Sequence, residues 1–404
     1  VRGLFALSGD PVTRGHLHII RKCLGKYDPG APVIDELVVW VGNNDDKAGK
    51  YLLEMNERML HVTHALSTFL PGDCRGRWRV IGSNDLLVDV VLREGIDVIF
   101  RGVRDARDRA YEESQMGHHD RIMPGIKDMV VFVHPDPDWA HVSSSLVKAM
   151  AQRHVDIGHL VPLRVKHRLE VKLHRQFMVG ICGRVATGKT WVAKELEKRL
   201  RLDGIPAHHL NLDKCIRDLY EEDTPGAQKV RDDIADLVGK DVLMPLGDNV
   251  NTAVLKAKIS SGEITPDMLK QIHTRTKPHV LRKMREWLAD KAGVIILEWA
   301  LLVENDMASL VNGNVIVVRN SDQSKLLAKR GVDPNTQARF DEQHLPEDEK
   351  IRRIQILNER EKFGNVIPYF RIWDDLGYPY LRSCLYEAMP SLPAYYGKAT
   401  GDDV

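Results

Sequence analysis

Two turns shaped for phosphate stand on one chain, and each closes a short apolar run. The first is Ser8-Gly9-Asp10-Pro11-Val12-Thr13-Arg14-Gly15-His16, which ends in T-x-G-H after the run Val1–Leu7. The second is Gly183-Arg184-Val185-Ala186-Thr187-Gly188-Lys189-Thr190, a full G-x-x-x-x-G-K-[ST] loop after Phe177–Cys182. A strand feeding a phosphate turn and then a helix is the opening unit of a doubly wound parallel sheet, whose ligands bind at the carboxyl ends of the strands. A chain that carries this unit twice is expected to begin that α/β fold twice.

The rest of the pattern agrees. Leu4–Leu7, Leu37–Val41, Arg79–Ile81, Val98–Phe100 and Met129–Val133 read as short buried strands. Between them, the segment after Thr13, Leu53–Leu70 and Leu86–Glu94 have helical spacing. A charged helical stretch, Leu163 to Arg175, reads as a connector, and Phe177–Cys182 restarts the alternation. Further strands are expected at His208–Leu212, Gly293–Leu297 and Val315–Val318, among more helices than in the first part. At 404 residues two domains are the natural division, placed at 1–172 and 177–404.

A net charge of +1, with 28% charged and 43% hydrophobic residues, describes a globular chain without bulk attraction to nucleic acid or anionic membrane. No apolar run is long enough to span a bilayer. The five cysteines, Cys23, Cys74, Cys182, Cys215 and Cys384, form no C-x-x-C pair, as expected of a reducing, cytosolic setting. The chain starts at Val1 in a strand-like run without signal-peptide features, so a processed or incomplete start is expected.

In the first turn, Thr13 is a good N-cap and His16 falls in the first helical turn, where free N–H groups and the helix dipole favour phosphate oxygens. A histidine there can stabilise charge on an α-phosphate during in-line displacement, or it can simply cap the helix. Arg101-Gly102-Val103-Arg104 follows a buried strand, and Arg104, Asp108 and Glu112 are spaced to share a helix face, as ligand contacts or as a salt-bridge ladder. Ser143-Ser144-Ser145 opens another helix, either with hydroxyls for a ligand or as an ordinary cap.

With these segments in order, residues 1 to about 172 resemble bacterial-type phosphopantetheine adenylyltransferase of the HxGH nucleotidyltransferase superfamily. The matching segments are S-G-D-P-V-T-R-G-H, Asn56–Arg58, Ser83–Leu87, Arg101–Glu112, Ser143–Lys148 and Gly158–Pro162. The resemblance implies that His16 stabilises the ATP α-phosphate, with Ser8, Thr13, Arg104, Asp108, Glu112 and Ser143–Ser145 (Ser143, Ser144, Ser145) around ATP. It implies that Arg101, Leu86 and a loop lysine, Lys47 or Lys50, hold 4′-phosphopantetheine. Gly9 replaces an aromatic usual before the Asp-Pro pair. The resemblance also suggests that this domain self-associates.

In the second turn, backbone N–H groups cradle phosphates, Lys189 neutralises β/γ charge and the Thr190 hydroxyl is a Mg²⁺ ligand. Asp213, after the next strand-like run, stands where a kinase places the acid that orients the acceptor hydroxyl, though a lone acid there can also cap a helix. Residues about 177 to 365 resemble dephospho-CoA kinase through this loop (Gly183, Arg184, Val185, Ala186, Thr187, Gly188, Lys189, Thr190), Asn211-Leu212-Asp213 and Leu301–Asn305. The stretch Leu326–Arg339 resembles its lid, with Arg330 and Arg339 implied on ATP. Asn211 replaces the first acid of the usual D-x-D, Ala300 a proline and Lys277 the histidine of His-Pro.

Together the resemblances imply two consecutive ATP- and Mg²⁺-dependent steps, 4′-phosphopantetheine to dephospho-CoA and then to CoA. The departures at Asn211 and Lys277 keep open a kinase-like domain that only binds nucleotide. A fused nicotinamide mononucleotide adenylyltransferase and ribosylnicotinamide kinase shares the layout, but S-S-S-L-V-K and L-L-V-E-N argue against it.

Overall fold

A computed structural model describes residues 1–25, 33–43, 49–245, 249–320, 323–329, 344–370 and 377–396. The chain divides into two compact units, Val1–Lys172 with Arg360–Lys362, and Leu173–Glu359 with Phe363–Val404.

The first unit is built on five parallel strands, β1 (Arg2–Leu7), β2 (Glu36–Gly42), β3 (Trp78–Ser83), β4 (Val98–Gly102) and β5 (Val130–Val133), in the order β3-β2-β1-β4-β5. β1, which carries the T-x-G-H turn, is central. Its residues pair with β2 on one side (Leu4 with Val38) and β4 on the other (Leu4 with Ile99). Continuous apolar runs such as Leu37–Val41 are what a sheet covered on both faces requires. The helices are α1 (Arg14–Leu24), α2 (Met55–Phe69), α3 (Leu87–Glu94), α4 (Ala106–Ile122), α5 (Pro137–Ala140), α6 (Ser144–Ala151) and α7 (Leu163–His174). One core layer joins Leu4, Val38, Trp40 and Ile99 to Val88 and Val91 of α3 and Met116 of α4.

The stretch expected as a charged helical connector is α7, which belongs to the first unit as far as Lys172. Along α7, Leu163, Val165, Leu169 and Val171 are buried. Lys166, 1% exposed, donates to Glu170 at 2.6 Å, and Arg168 of α7 pairs with Glu57 of α2. A charged composition therefore concealed a packed face.

The second unit repeats the plan with β6 (Gln176–Cys182), β7 (Ala207–Asn211), β8 (Gly293–Glu298), β9 (Val315–Arg319) and β10 (Val366–Phe370), in the order β10-β9-β6-β8-β7. All pairs are parallel and β6, which carries the second phosphate turn, is central. β10 was missed in the sequence because Pro368 interrupts it; proline is tolerated there since the strand lies at the sheet edge. The next expected strand shifts by one residue, because Asn211 caps a helix and Leu212 opens it.

Helix α8 (Lys189–Leu202) leaves the phosphate turn, and α9 (Leu212–Tyr220) leaves β7. The extra helical share, α9, α10 (Pro225–Val238), α11 (Thr252–Ser261) and α12 (Pro266–Leu288), has its own core around Leu219, Val230, Ile234 and Ile272. Helices α13 (Gln323–Lys329), α14 (Glu347–Glu361), α15 (Tyr378–Ala388) and α16 (Leu392–Tyr396) complete the chain. Among the described residues, no helix is long and apolar enough to cross a membrane.

Candidate active sites

In the first unit the turn after β1 is fixed by hydrogen bonds from three directions. Asp10, 2% exposed, accepts from the N–H groups of Leu52 (3.1 Å) and Leu53 (2.9 Å) and from Lys148 Nζ (2.7 Å). Ser144 Oγ donates to the Pro11 carbonyl at 2.8 Å, so the S-S-S-L-V-K helix is tied to the turn twice. Buried Arg58 donates to the carbonyls of Ser8 (2.7 Å) and Gly42 (3.1 Å), bracing the ends of β1 and β2. Gly9 holds φ +60, with Val62 3.2 Å from where a Cβ would lie, so a larger residue there would be strained and tightly packed.

Thr13 caps α1 and orients His16. Its hydroxyl accepts from His16 N–H at 3.3 Å, and its own N–H donates to His16 Nδ1 at 3.0 Å. Nδ1 is therefore an acceptor, which leaves the ring proton on Nε2. The ring borders a cavity of about 930 Å³ formed at the carboxyl ends of the strands.

That cavity collects most of the expected residues. Ser8, His16, Leu86, Arg101, Arg104, Asp108 and Glu112 line it, as do Ser143, Ser144 and Ser145. Thr13 lies behind His16 and is fully buried. Lys50 is exposed and does not line the cavity, while Lys47 lies outside the described residues.

The helix-face expectation is corrected in one respect. Arg104 precedes α4, whose cap is Asp105, and binds Asp108 through two contacts at 2.6 and 3.0 Å. Glu112 turns instead to Arg101, Oε2 lying 3.3 Å from Nε. Among the described residues the Arg101 Nε has no hydrogen-bond partner, and burial pulls the guanidinium below its ordinary pKa against the pull of Glu112. A buried cation held loosely by one acid is suited to an anionic ligand. The serines divide: Ser143 Oγ caps α6 by accepting from Leu146 N–H at 3.2 Å, and exposed Ser145 leaves its hydroxyl at the cavity. Tyr111, Gln115, His119 and Trp139 also line the cavity. The first three continue the Asp108–Glu112 face along α4, a periodicity the ion-pair reading stopped short of following.

In the second unit the phosphate turn has the expected shape. Gly183 (φ +147) passes so close to β9 that a Cβ would come within 2.5 Å of the Val318 carbonyl oxygen. Lys189 is buried, donates to the Arg184 carbonyl at 2.8 Å and has its pKa lowered by burial, with Asp213 and Glu298 opposing. Val185 accepts from Gln323 Nε2 at 2.9 Å, Arg184 pairs with Glu347 at 2.9 Å, and Thr187 Oγ1 donates to the Arg184 carbonyl at 3.0 Å. Gly188 (φ +92) caps α8 and Ala186 also lies at positive φ (+62), so the loop N–H groups curl inward.

Glu298, at the end of β8, was missed in the sequence. It is 2% exposed and accepts from Thr190 Oγ1 at 2.6 Å and Asn211 Nδ2 at 2.7 Å, with His209 Nε2 2.9 Å away. Burial raises its pKa, but His209 and Thr190 more than offset this, and the carboxyl stays below its ordinary value. Asn211 is paired in register with Glu298 and caps α9 by accepting from Lys214 N–H at 2.8 Å. Asp213 and Glu298 are thus the two acids acting on Lys189, with Asn211 in place of the first acid of D-x-D. A closer reading of the apolar run ending in Glu298 was the only signal for it.

Asp213 lies in the first turn of α9 and accepts from Ala300 N–H at 3.2 Å. Burial raises its pKa, and Ala300 and Lys189 oppose. Lys277-Pro278 falls in the middle of α12. Arg330 and Arg339 lie outside the described residues.

Comparison with known proteins assigns each half. A cytidylyltransferase-like family model matches residues 8–150, and a dephospho-CoA kinase family model matches residues 177–361. A phosphopantetheine adenylyltransferase of Histophilus somni (strain 129Pt) is 34% identical over 166 residues, covering 40% of this chain and 91% of that protein. Its counterpart in Pasteurella multocida (strain Pm70) is 35% identical over 162 residues, with the same coverage.

Proposed function

The chain belongs to the phosphopantetheine adenylyltransferase family over its first half and carries a dephospho-CoA kinase domain in its second, and from this we propose that it performs the last two steps of coenzyme A synthesis. Residues 1–172 transfer the adenylyl group of ATP to 4′-phosphopantetheine, giving dephospho-CoA and pyrophosphate. Residues 177–404 phosphorylate the ribose 3′-hydroxyl of that product with a second ATP. The observation that carries the reading is the presence of both matches on one chain, each with its own phosphate turn at or near its start.

In the first step an oxygen of the pantetheine phosphate attacks the α-phosphorus, and the bond to the β-phosphate oxygen breaks. His16 Nε2–H donates to the α-phosphate as charge builds there, oriented by Thr13. Arg101, beside Leu86, and Lys47 or Lys50 hold the attacking phosphate. Ser8 and the α6 start at Ser143–Ser145 receive the departing phosphates, where backbone N–H groups and the helix dipole favour anions. Arg104, Asp108 and Glu112 face the nucleotide.

In the second step Lys189 and the Gly183–Thr190 backbone hold the β- and γ-phosphates, and the resemblance puts Arg330 and Arg339 on ATP. Asp213 orients the acceptor hydroxyl, and its raised pKa suits it to take a proton. The donor set fits Mg²⁺: the Thr190 hydroxyl gives its hydrogen to Glu298, so its oxygen lone pairs would be left to hold a hard cation. When bound, the ion neutralises polyphosphate charge in either step. The partners are ATP and the two pantetheine substrates, with self-association of the first unit expected from its family. Unpaired cysteines suit a cytoplasmic setting.

The test is incubation with ATP, Mg²⁺ and 4′-phosphopantetheine, with products identified by mass. CoA is expected in the wild type. His16→Ala should block the first step and spare conversion of supplied dephospho-CoA; Lys189→Ala should stop at dephospho-CoA. If one substitution abolished both steps in a folded protein, the two-site reading would be rejected.

A further inference from the structure

Lys350 of α14 is entirely buried, and neither step described above uses it. A buried ammonium costs several kcal/mol unless its charge is paired and its hydrogens are engaged. Its Nζ donates to the Ala300 carbonyl at 2.9 Å and pairs with the Glu304 carboxylate. Glu304 is held in turn by the Leu345 N–H at 3.0 Å and has the His344 ring 3.8 Å away. Burial pushes this carboxyl up, but His344 and Lys350 bring it down to about 2, so Glu304 is ionised at neutral pH.

Ala300 is the next link. Its carbonyl accepts from Lys350, while its own N–H donates to Asp213 Oδ2 at 3.2 Å. One residue just past β8 therefore hangs between a buried ammonium and the acid beside Lys189. Proline, usual at this place in the resembling family, has a fixed φ and no N–H. Alanine supplies the donor that Asp213 uses, but its backbone is less restrained, and the Lys350–Glu304 pair provides the restraint from outside.

We propose that Lys350 is a positioning residue for phosphate transfer, holding Ala300 so that its N–H fixes the Asp213 carboxylate at the acceptor side of the site. The proposal rests on reading Asp213 as the acid that orients the acceptor hydroxyl. It extends the site through Ala300 to α14, which carries none of the phosphate-binding motif.

Full-length Lys350→Met is assayed separately for adenylyl transfer and for phosphorylation of supplied dephospho-CoA. The expected result is a kinase kcat lowered about tenfold to a hundredfold by displacement of the acid, with KM for ATP and adenylyl transfer unchanged. Two further variants guard against misfolding. Lys350→Met combined with Glu304→Gln leaves no unpaired buried charge, and its kcat should stay low. Ala300→Pro keeps every charge and deletes the N–H, and should give the same kcat loss. Wild-type kinase kcat in any of the three overturns the proposal, as does a loss confined to KM for ATP. Asp213→Asn separates the two ideas. If it turns over normally, the reading of Asp213 is wrong; if it is inactive while the Lys350 variants are fully active, only the role of Lys350 falls.

Discussion

Thr190 donates its hydroxyl hydrogen to Glu298 Oε1 at 2.6 Å, joining the first turn of α8 to the end of β8 across 108 residues of sequence. The contact aims the hydroxyl, so that its lone pairs rather than its hydrogen are available to a cation. Glu298→Ala should lower the kinase kcat about a hundredfold while leaving adenylyl transfer intact. Raising Mg²⁺ should recover part of the loss. Rates for dephospho-CoA phosphorylation across a Mg²⁺ titration check this; unchanged rates would remove Glu298 from the site.

Thr13 serves both the helix and the catalytic ring. Thr13→Val removes the cap hydroxyl while keeping the shape, so it should cost about 1 kcal/mol of stability. Because the hydroxyl also lies 2.9 Å from His16 Nδ1, adenylyl transfer should fall about tenfold, with the kinase step unaffected. Denaturant unfolding and the two separate assays measure both effects.

Asp10 is the anchor of the first turn. Asp10→Ala would strand the Leu52 and Leu53 N–H groups and leave Lys148 without its carboxylate, for a loss of about 3 kcal/mol. Lys148→Met should cost less, since the two N–H groups still stabilise the carboxylate. The order of the two unfolding midpoints is the test, and a reversed order would contradict it.

His61 of α2 and His167 of α7 make the first unit sensitive to acid. Burial lowers His61 from 6.5 to about 4 and His167 from 6.5 to about 3, with nearby arginines and Lys166 adding to the effect. The unfolded chain takes up these protons first, so the contribution to stability is complete above about pH 6.5 and is lost as pH falls towards 4 and then 3. His61→Gln/His167→Gln should flatten the fall in unfolding free energy between pH 6.5 and 4. An unaltered slope would assign the acid sensitivity to other groups.

The two central strands and their phosphate turns could be read from the sequence because local chemistry dictates them. A buried strand must be apolar, a cap needs an oxygen, and a backbone passing as close as Gly183 does to Val318 admits no side chain. Residues gathered by tertiary folding were harder to read. Glu298 looks like the end of an apolar run until β7 and β8 bring His209 and Asn211 beside it. Lys166 and Lys350 look like ordinary surface lysines until their carboxylates are found inside the fold. The packed face of α7 was hidden for the same reason: charge counts along a segment do not reveal which charges are already paired.

The amide at Asn211 serves two neighbours with opposite demands. One end caps α9 and the other donates to Glu298. Aspartate could keep the cap but would set a second negative charge against the first, with no donor between them. Asparagine at 211 is thus matched to glutamate at 298, since only an uncharged amide both accepts from the helix start and donates to the strand end beside it.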